Sequence, residues 1–187
     1  MVWFRRQAKG NEPGRDVIAP ADLEVSFGDD ILGSKLEQLL EAVSEQGGME
    51  PFLEAMGKKH ELFARALAED AIDMLDGDTL HVILETVFPA RRRLATALDQ
   101  VDHATLVAAI RELLFGADPL PERMPAFVAA IPADNQKVRR AAWDFAAELL
   151  HFRDPERYPL MTRWVWDVNT VSGAEREFIP GNDIMSE

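Results

Sequence analysis

The sequence predicts an all-α fold, a single globular domain of about six to eight helices. Two observations predict it. Beyond position 30 the apolar residues recur at intervals of three and four, which is the pitch of an amphipathic helix. Glycine, proline, aspartate and asparagine interrupt these segments where helices would begin and end. The 187 residues, 47% of them hydrophobic, suit one domain with a substantial core.

The two ends of the chain are predicted to lie outside this domain. Residues 1–28 contain glycines and prolines that interrupt any periodicity, which indicates an irregular N-terminal tail. The helical domain covers residues 29–179, and residues 180–187 form a polar C-terminal tail.

The first two helices are delimited by glycine and proline. One apolar face defines the first helix, which ends at the Gly47-Gly48 pair. That face consists of Ile31, Leu32, Leu36, Leu39, Leu40 and Val43. The second helix begins near Pro51, breaks or bends at Gly57, and continues to Met74.

Capping residues mark the next two segments. The segment Asp76-Gly77-Asp78 ends the second helix and caps a third, because a carboxylate accepts hydrogen bonds from the free amides of a first turn. Pro89 kinks this third helix or starts a new one, since proline has no backbone proton to donate. Asp102 caps the following helix, whose inward face is Leu106, Val107, Ile110, Leu113 and Leu114.

The last third of the domain is predicted to hold a short helix over 122–131 and a long helix capped by Asp134 or Asn135. The long helix buries Val138, Ala141, Ala142, Phe145, Leu149 and Phe152. Asp154-Pro155-Glu156 then starts a turn. Residues 162–169 fit both a strand and a helix, and we predict helix because no partner strand is evident.

Composition excludes several functional classes. The absence of cysteine excludes disulfides, iron–sulfur clusters, thiolate zinc sites and cysteine nucleophiles. The formal net charge of −13 repels phosphate backbones, so nucleic acid is not an expected partner. No apolar run is long enough to span a bilayer, and the N-terminus lacks the apolar region of a secretory signal. We therefore predict a cytoplasmic protein.

The acidic charge is concentrated in the front half of the domain. From Asp29 to Phe88 there are 14 acidic and 4 basic residues, whereas Pro89 to Asp167 holds 11 of each. A solvated helix face explains this pattern. The alternative is an acidic surface that docks a basic partner.

The stretch from Trp143 to Asp167 concentrates the side chains that dominate protein interfaces. It holds three of the four tryptophans and the single tyrosine. Tryptophan, tyrosine and arginine bury large areas and keep a polar group for hydrogen bonding. We interpret this segment as a partner-binding patch, beside the alternative of a corner that closes the core. The predicted patch is Arg157, Tyr158, Arg163, Trp164 and Trp166.

Two basic clusters are candidates for an anion contact. They are Arg91, Arg92 and Arg93, and Lys137, Arg139 and Arg140. The two would merge if the helix after Pro89 packs beside the long helix over 135–152. The alternative is a solvated helix rim, which the acidic overall charge favours.

Glu148 and His151 match the Glu-x-x-His spacing of helical di-iron sites. Such a site needs the motif twice, and the nearest second candidate, Asp78 with His81, lies at a helix start. The sequence therefore predicts no metal and no other cofactor, with Glu148 and His151 as the candidates if one is present. His151 is expected instead to form a hydrogen bond near the helix end.

Residues 147–160, AELLHFRDPERYPL, resemble a segment of helix-hairpin-helix proteins of the DNA glycosylase type. In that family a helix ending Leu-His-Phe leads through a proline turn to an aromatic-Pro-hydrophobic step. The resemblance implies a shared helical architecture. It carries over no catalytic residue, because Met161 and Thr162 stand where the family places an aspartate.

Three functional hypotheses follow from these residues. The first is a non-enzymatic helical protein, an adaptor or accessory factor that works by protein–protein interaction. The second is a nucleic-acid-acting or degenerate glycosylase-like protein that uses the two basic clusters. The third is a metal-dependent helical enzyme centred on Glu148 and His151. The sequence leaves the oligomeric state open.

Overall fold

The computed structural model describes residues 29–45, 47–165, 167 and 172–174. In this part of the chain the fold is all-α, as predicted. The helices are α1 Asp29–Glu45, α2 Met49–Ala66, α3 Gly77–Thr86, α4 Arg91–Leu98, α5 His103–Phe115, α6 Leu120–Ala130 and α7 Gln136–Arg153. A short 3-10 helix, Ile72–Met74, lies between α2 and α3. The predicted tails at 1–28 and 180–187 lie outside the described residues.

Side-chain caps begin three of the helices as predicted. The carboxylate of Asp76 accepts from the Thr79 amide at 2.7 Å, and that of Asp102 accepts from the Thr105 amide at 3.1 Å. Asn135, rather than Asp134, caps α7 through two backbone amides. These bonds satisfy amides that have no partner inside the helix.

The predicted second helix is wrong in two respects. α2 runs unbroken through Gly57, because the helix tolerates a glycine at modest cost. It ends at Ala66, where the prediction continued it to Met74. A turn and the 3-10 helix follow, so that Ile72 is fully buried and Met74 points to solvent. The connection between α2 and α3 therefore contributes the buried side chain of Ile72, which the helical spacing did not predict.

The proline and glycine signals elsewhere are confirmed. Pro89 separates α3 from a new helix, α4. Gly47 and Gly48 follow α1 with positive φ values of 103° and 96°, a conformation that glycine adopts without steric cost. The predicted short helix starts two residues earlier than expected, at Leu120.

Helix α7 is the centre of the fold. It contacts α2, α4, α5 and α6, and all of its predicted apolar residues are buried except Val138, which is partly buried. Four of its buried residues are alanines, Ala141, Ala142, Ala146 and Ala147. Small side chains allow close approach of the neighbouring helices, so α7 can be surrounded on several sides. The rings of Phe63 on α2 and Phe152 on α7 lie 5.4 Å apart in this core.

The predicted helix over 162–169 is wrong where the structure describes it. Residues 163–165 form a turn, and Asp167 forms an isolated antiparallel bridge with Ser172. The Asp167 amide donates to the Ser172 carbonyl at 2.7 Å, and the Ser172 amide donates back at 3.3 Å. The pairing partner therefore lies five positions downstream, in a Ser-Gly step that has no strand-like sequence pattern. No helix in the described residues is long and apolar enough to cross a membrane.

Candidate functional site

Two carboxylates of α7, one helical turn apart, are buried in the fold. Asp144 is 3% exposed and Glu148 is 6% exposed. Each is paired with a cation from another part of the chain, Asp144 with Arg163 and Glu148 with Lys59. Burial of an ionised carboxylate requires such pairing. Neither Asp144 nor Lys59 is among the site residues predicted from the sequence. The signal for Asp144 is a charged residue placed between apolar positions of a helix that is buried on several sides.

Asp144 anchors the segment that follows α7. Its Oδ2 atom lies 3.0 Å from Nε of Arg163, an ion pair whose geometry is not that of a hydrogen bond. Its Oδ1 atom accepts a hydrogen bond from the backbone amide of Arg163 at 3.3 Å. Burial raises the pKa of Asp144, and the amide and guanidinium of Arg163, with Arg93 farther away, oppose that rise. Arg163 is thereby held by both its backbone and its side chain.

Trp164 is the exposed neighbour of this anchored arginine. Its side chain is 58% exposed, and the Arg163 guanidinium carbon lies 5.4 Å from the centre of the ring. The backbone carbonyl of Trp164 accepts from the Ala174 amide at 2.9 Å. The backbone at Trp164 is therefore anchored through its own carbonyl and through Arg163, while the indole is largely exposed to water.

An open depression lies beside Trp164. Its lining residues are Arg93, Arg163, Trp164, Asp167, Ser172, Gly173 and Ala174. The bridge between Asp167 and Ser172 forms one wall, and α4 contributes Arg93 from the other side. The residues that line this depression supply an aromatic ring, two guanidinium groups, one carboxylate and backbone atoms.

The structure divides the predicted partner-binding patch. Arg163 and Trp164 form one pair, and the Arg157 guanidinium lies 5.2 Å from the ring of Tyr158 in another. Tyr158 is partly buried and packs against the core, while Arg157 is exposed. The fifth predicted member, Trp166, lies outside the described residues. The exposed surface in this part of the protein is therefore centred on Trp164.

The metal candidates have other partners. The carboxylate of Glu148 pairs with the ammonium of Lys59, which also donates to the Thr86 carbonyl at 3.0 Å. Burial raises the pKa of Glu148, and Lys59 opposes the rise. Nδ1 of His151 donates to the Tyr158 carbonyl at 2.8 Å, as expected for a histidine near the helix end. Among the described residues, no group of three or more potential ligands is placed to hold a metal ion.

The basic clusters lie on two helices in contact, α4 and α7. Arg92, Arg93, Lys137, Arg139 and Arg140 are exposed, and Arg91 is partly buried with its guanidinium 5.0 Å from the ring centre of Phe88. Arg93 is near enough to Asp144 to lower the pKa of that carboxyl. Its neighbourhood is therefore mixed in charge, unlike the uniformly basic surface that binds nucleic acid.

No protein-family model, curated protein or solved structure matches this chain. The resemblance of residues 147–160 to helix-hairpin-helix glycosylases thus stays a prediction from sequence.

Proposed function

We propose that this protein is a non-enzymatic interaction protein, an adaptor or accessory factor, and that its partner binds at Trp164. The observation that carries the proposal is that the indole is 58% exposed while its backbone is anchored. Solvent exposure of a large aromatic surface is costly in water, and tryptophan is among the residues that contribute most to binding when covered.

The fixed position of Trp164 supports the proposal. Arg163 is held by the buried Asp144, and the Ala174 amide holds the Trp164 carbonyl. A partner therefore meets an exposed indole on a backbone segment that is already ordered. Binding at such a surface loses less entropy than binding at a mobile one.

The depression defines the chemistry of the partner. An apolar or aromatic side chain of the partner would stack on the indole of Trp164. A carboxylate beside it would be met by the exposed guanidinium of Arg93. We therefore propose a protein segment that carries an apolar side chain next to an acidic one, bound in a cytoplasmic setting.

A comparative pull-down tests this proposal. Tagged wild-type protein, Trp164→Ala and Trp143→Ala are incubated with native lysate, and captured proteins are quantified by mass spectrometry. Trp143 is a matched control because it is also exposed but does not line the depression. We expect Trp164→Ala to reduce one or more captured proteins by about ten-fold or more, with Trp143→Ala unchanged.

Circular dichroism and urea unfolding keep the test interpretable. Because the Trp164 side chain is largely exposed, its replacement should leave the free energy of unfolding within about 0.5 kcal/mol of wild type. Identical capture by all three proteins, with folding intact, would refute the proposed role of Trp164.

A further inference from the structure

A second exposed apolar surface lies on α1. The leucines at 32, 36, 39 and 40 are each between 47% and 52% exposed, although the sequence places them on one helix face. α1 contacts α2, and Ile31, Lys35 and Val43 on α1 are partly buried. Single exposed leucines are ordinary, but a row of four on one helix is not.

The apolar surface continues onto α2. Met56 and Phe63 share one face of that helix, since they are seven positions apart, and Phe63 is fully buried in the core. Phe52 lies on the same face one turn earlier, beyond the core, and is 55% exposed. Leu53 beside it is 59% exposed. The apolar face of α2 therefore extends beyond the part of the helix that the core covers.

The two helices that carry these exposed residues are consecutive in the chain and in contact. Three positions separate the end of α1 from the start of α2, and we refer to these two consecutive helices as the hairpin. Leu39 and Leu40 lie seven and six positions before this connection, and Phe52 and Leu53 lie four and five positions after it. We call the set of Leu32, Leu36, Leu39, Leu40, Phe52 and Leu53 the hairpin surface.

The charge around the hairpin surface indicates which kind of partner binds there. Asp29 to Glu54 contains seven acidic residues and one lysine, Lys35, which is a net charge of −6. Among the acidic residues, Glu37 and Glu41 are exposed and follow Leu36 and Leu40 along α1. A second copy of the chain would bring another −6 against this surface, and like charges across an interface are unfavourable.

We infer that the hairpin surface docks a basic amphipathic helix of another protein. The apolar stripe of such a helix would cover the exposed leucines and Phe52, and its lysines or arginines would meet the acidic rim. This is a helix-in-groove interaction, in which the apolar contact gives affinity and the charge gives orientation and selectivity. It is independent of the proposed role of Trp164, because it uses different residues on different helices.

A set of model peptides tests the inference on the full chain. The probe is a fluorescein-labelled peptide of about 18 residues with leucines along one helix face and lysines elsewhere. One control peptide has the same composition in a scrambled order, and another replaces every lysine with glutamate. Fluorescence anisotropy measures binding. We expect the scrambled and glutamate peptides to bind about ten-fold or more weakly than the probe.

Variants of the protein locate the binding surface. Leu36→Gln combined with Leu40→Gln leaves the net charge unchanged and should weaken probe binding about ten-fold. Val82→Gln on α3 is the control, because Val82 is 50% exposed and lies outside the hairpin. Glu37→Lys should weaken binding at low salt, and its effect should shrink when ionic strength rises from about 50 to about 500 mM.

Three results would overturn the inference. The first is probe binding no tighter than that of the scrambled peptide. The second is unchanged probe binding by the Leu36→Gln, Leu40→Gln protein when its circular dichroism matches wild type. The third is a wild-type dimer in sedimentation equilibrium that this double substitution dissociates, since a second copy would then occupy the hairpin surface.

Discussion

Lys59 on α2 and Glu148 on α7 form an ion pair inside the helical core. Both side chains are close to fully buried, and the Lys59 ammonium also lies 4.0 Å from the centre of the Phe152 ring. The two residues are 89 positions apart in the chain, and their pairing joins α2 to α7. A buried ion pair adds little net stability, but loss of one partner leaves an uncompensated charge.

Replacement of Lys59 alone should therefore destabilise the protein strongly. We expect Lys59→Met to lower the free energy of unfolding by about 3–5 kcal/mol, as measured by urea denaturation. Lys58→Met is the matched control, because the neighbouring Lys58–Glu54 pair is exposed and contributes less than about 0.5 kcal/mol. The double variant Lys59→Met, Glu148→Leu should regain most of the loss. Equal effects of the two lysine substitutions would contradict the burial of the pair.

The raised pKa of Asp144 predicts a pH dependence of stability. The unfolded carboxyl titrates near its ordinary pKa of 3.8, and burial raises the pKa in the folded state. Between the two values the folded protein binds more protons, so the free energy of unfolding falls as pH rises through that window. Asp144→Asn should show a smaller fall in urea denaturation across a pH series from about 3.5 to about 7.

Two other carboxyls with shifted pKa values also contribute to the pH dependence of stability. The raised pKa of Glu148 also makes the free energy of unfolding fall as pH rises. Because Asp144 is one cause of that raised pKa, the Glu148 contribution is also smaller in Asp144→Asn. Asp76 has a pKa lowered first by its hydrogen bond with the Thr79 amide, so its contribution to stability is lost as pH falls. Parallel curves for wild type and Asp144→Asn would show that the pKa of Asp144 is not raised.

The cap at the start of α7 gives a local test. Asn135→Ala removes the acceptor for the Lys137 and Val138 amides and should cost about 1 kcal/mol in thermal or urea unfolding. Asp134→Ala, one position earlier, is the control and should be close to neutral. A larger loss for Asp134→Ala would place the cap at the other residue that the sequence allowed.

Helix α1 should be the least protected helix of the described fold. Its apolar face is half exposed and it packs on α2, whereas α5 and α7 are covered by several neighbours. Amide hydrogen exchange should therefore be faster in α1 than in α7 by roughly 10² or more, because local opening of α1 exposes little additional apolar surface. Equal protection in the two helices would indicate that something covers the hairpin surface in solution.

The sequence predicts most of the fold because the decisive signals are local. Asp76, Asp102 and Asn135 cap helices through amides two or three positions away, and Pro89 breaks a helix by its own chemistry. The stripe from Leu106 to Leu114 is buried because its spacing matches one helix face. The end of α2 was missed, since burial of Ile72 instead of Met74 depends on helices distant in sequence.

The candidate site is less predictable because its contacts join residues that are distant in the sequence. Trp164 of the predicted patch is exposed, and its role in binding stays a prediction. The anchor of Arg163 is Asp144, 19 positions earlier on another element. The spacing of Glu148 and His151 within one helix made Glu148 a candidate metal ligand. In the fold its partner is the ammonium of Lys59, which is 89 positions away in the chain. The Asp167–Ser172 bridge has no alternating pattern that would predict it.

The central place of α7 has a consequence for how the chain folds during synthesis. Phe63 must wait for Phe152, 89 residues later, before the two rings can meet. At about 5–20 residues per second, a ribosome needs roughly 4–18 s to translate that interval. During those seconds the faces of α2, α4, α5 and α6 that contact α7 in the folded protein lack that partner. Translation of the last turn of α7 therefore sets the earliest moment at which the nascent polypeptide can close its interior.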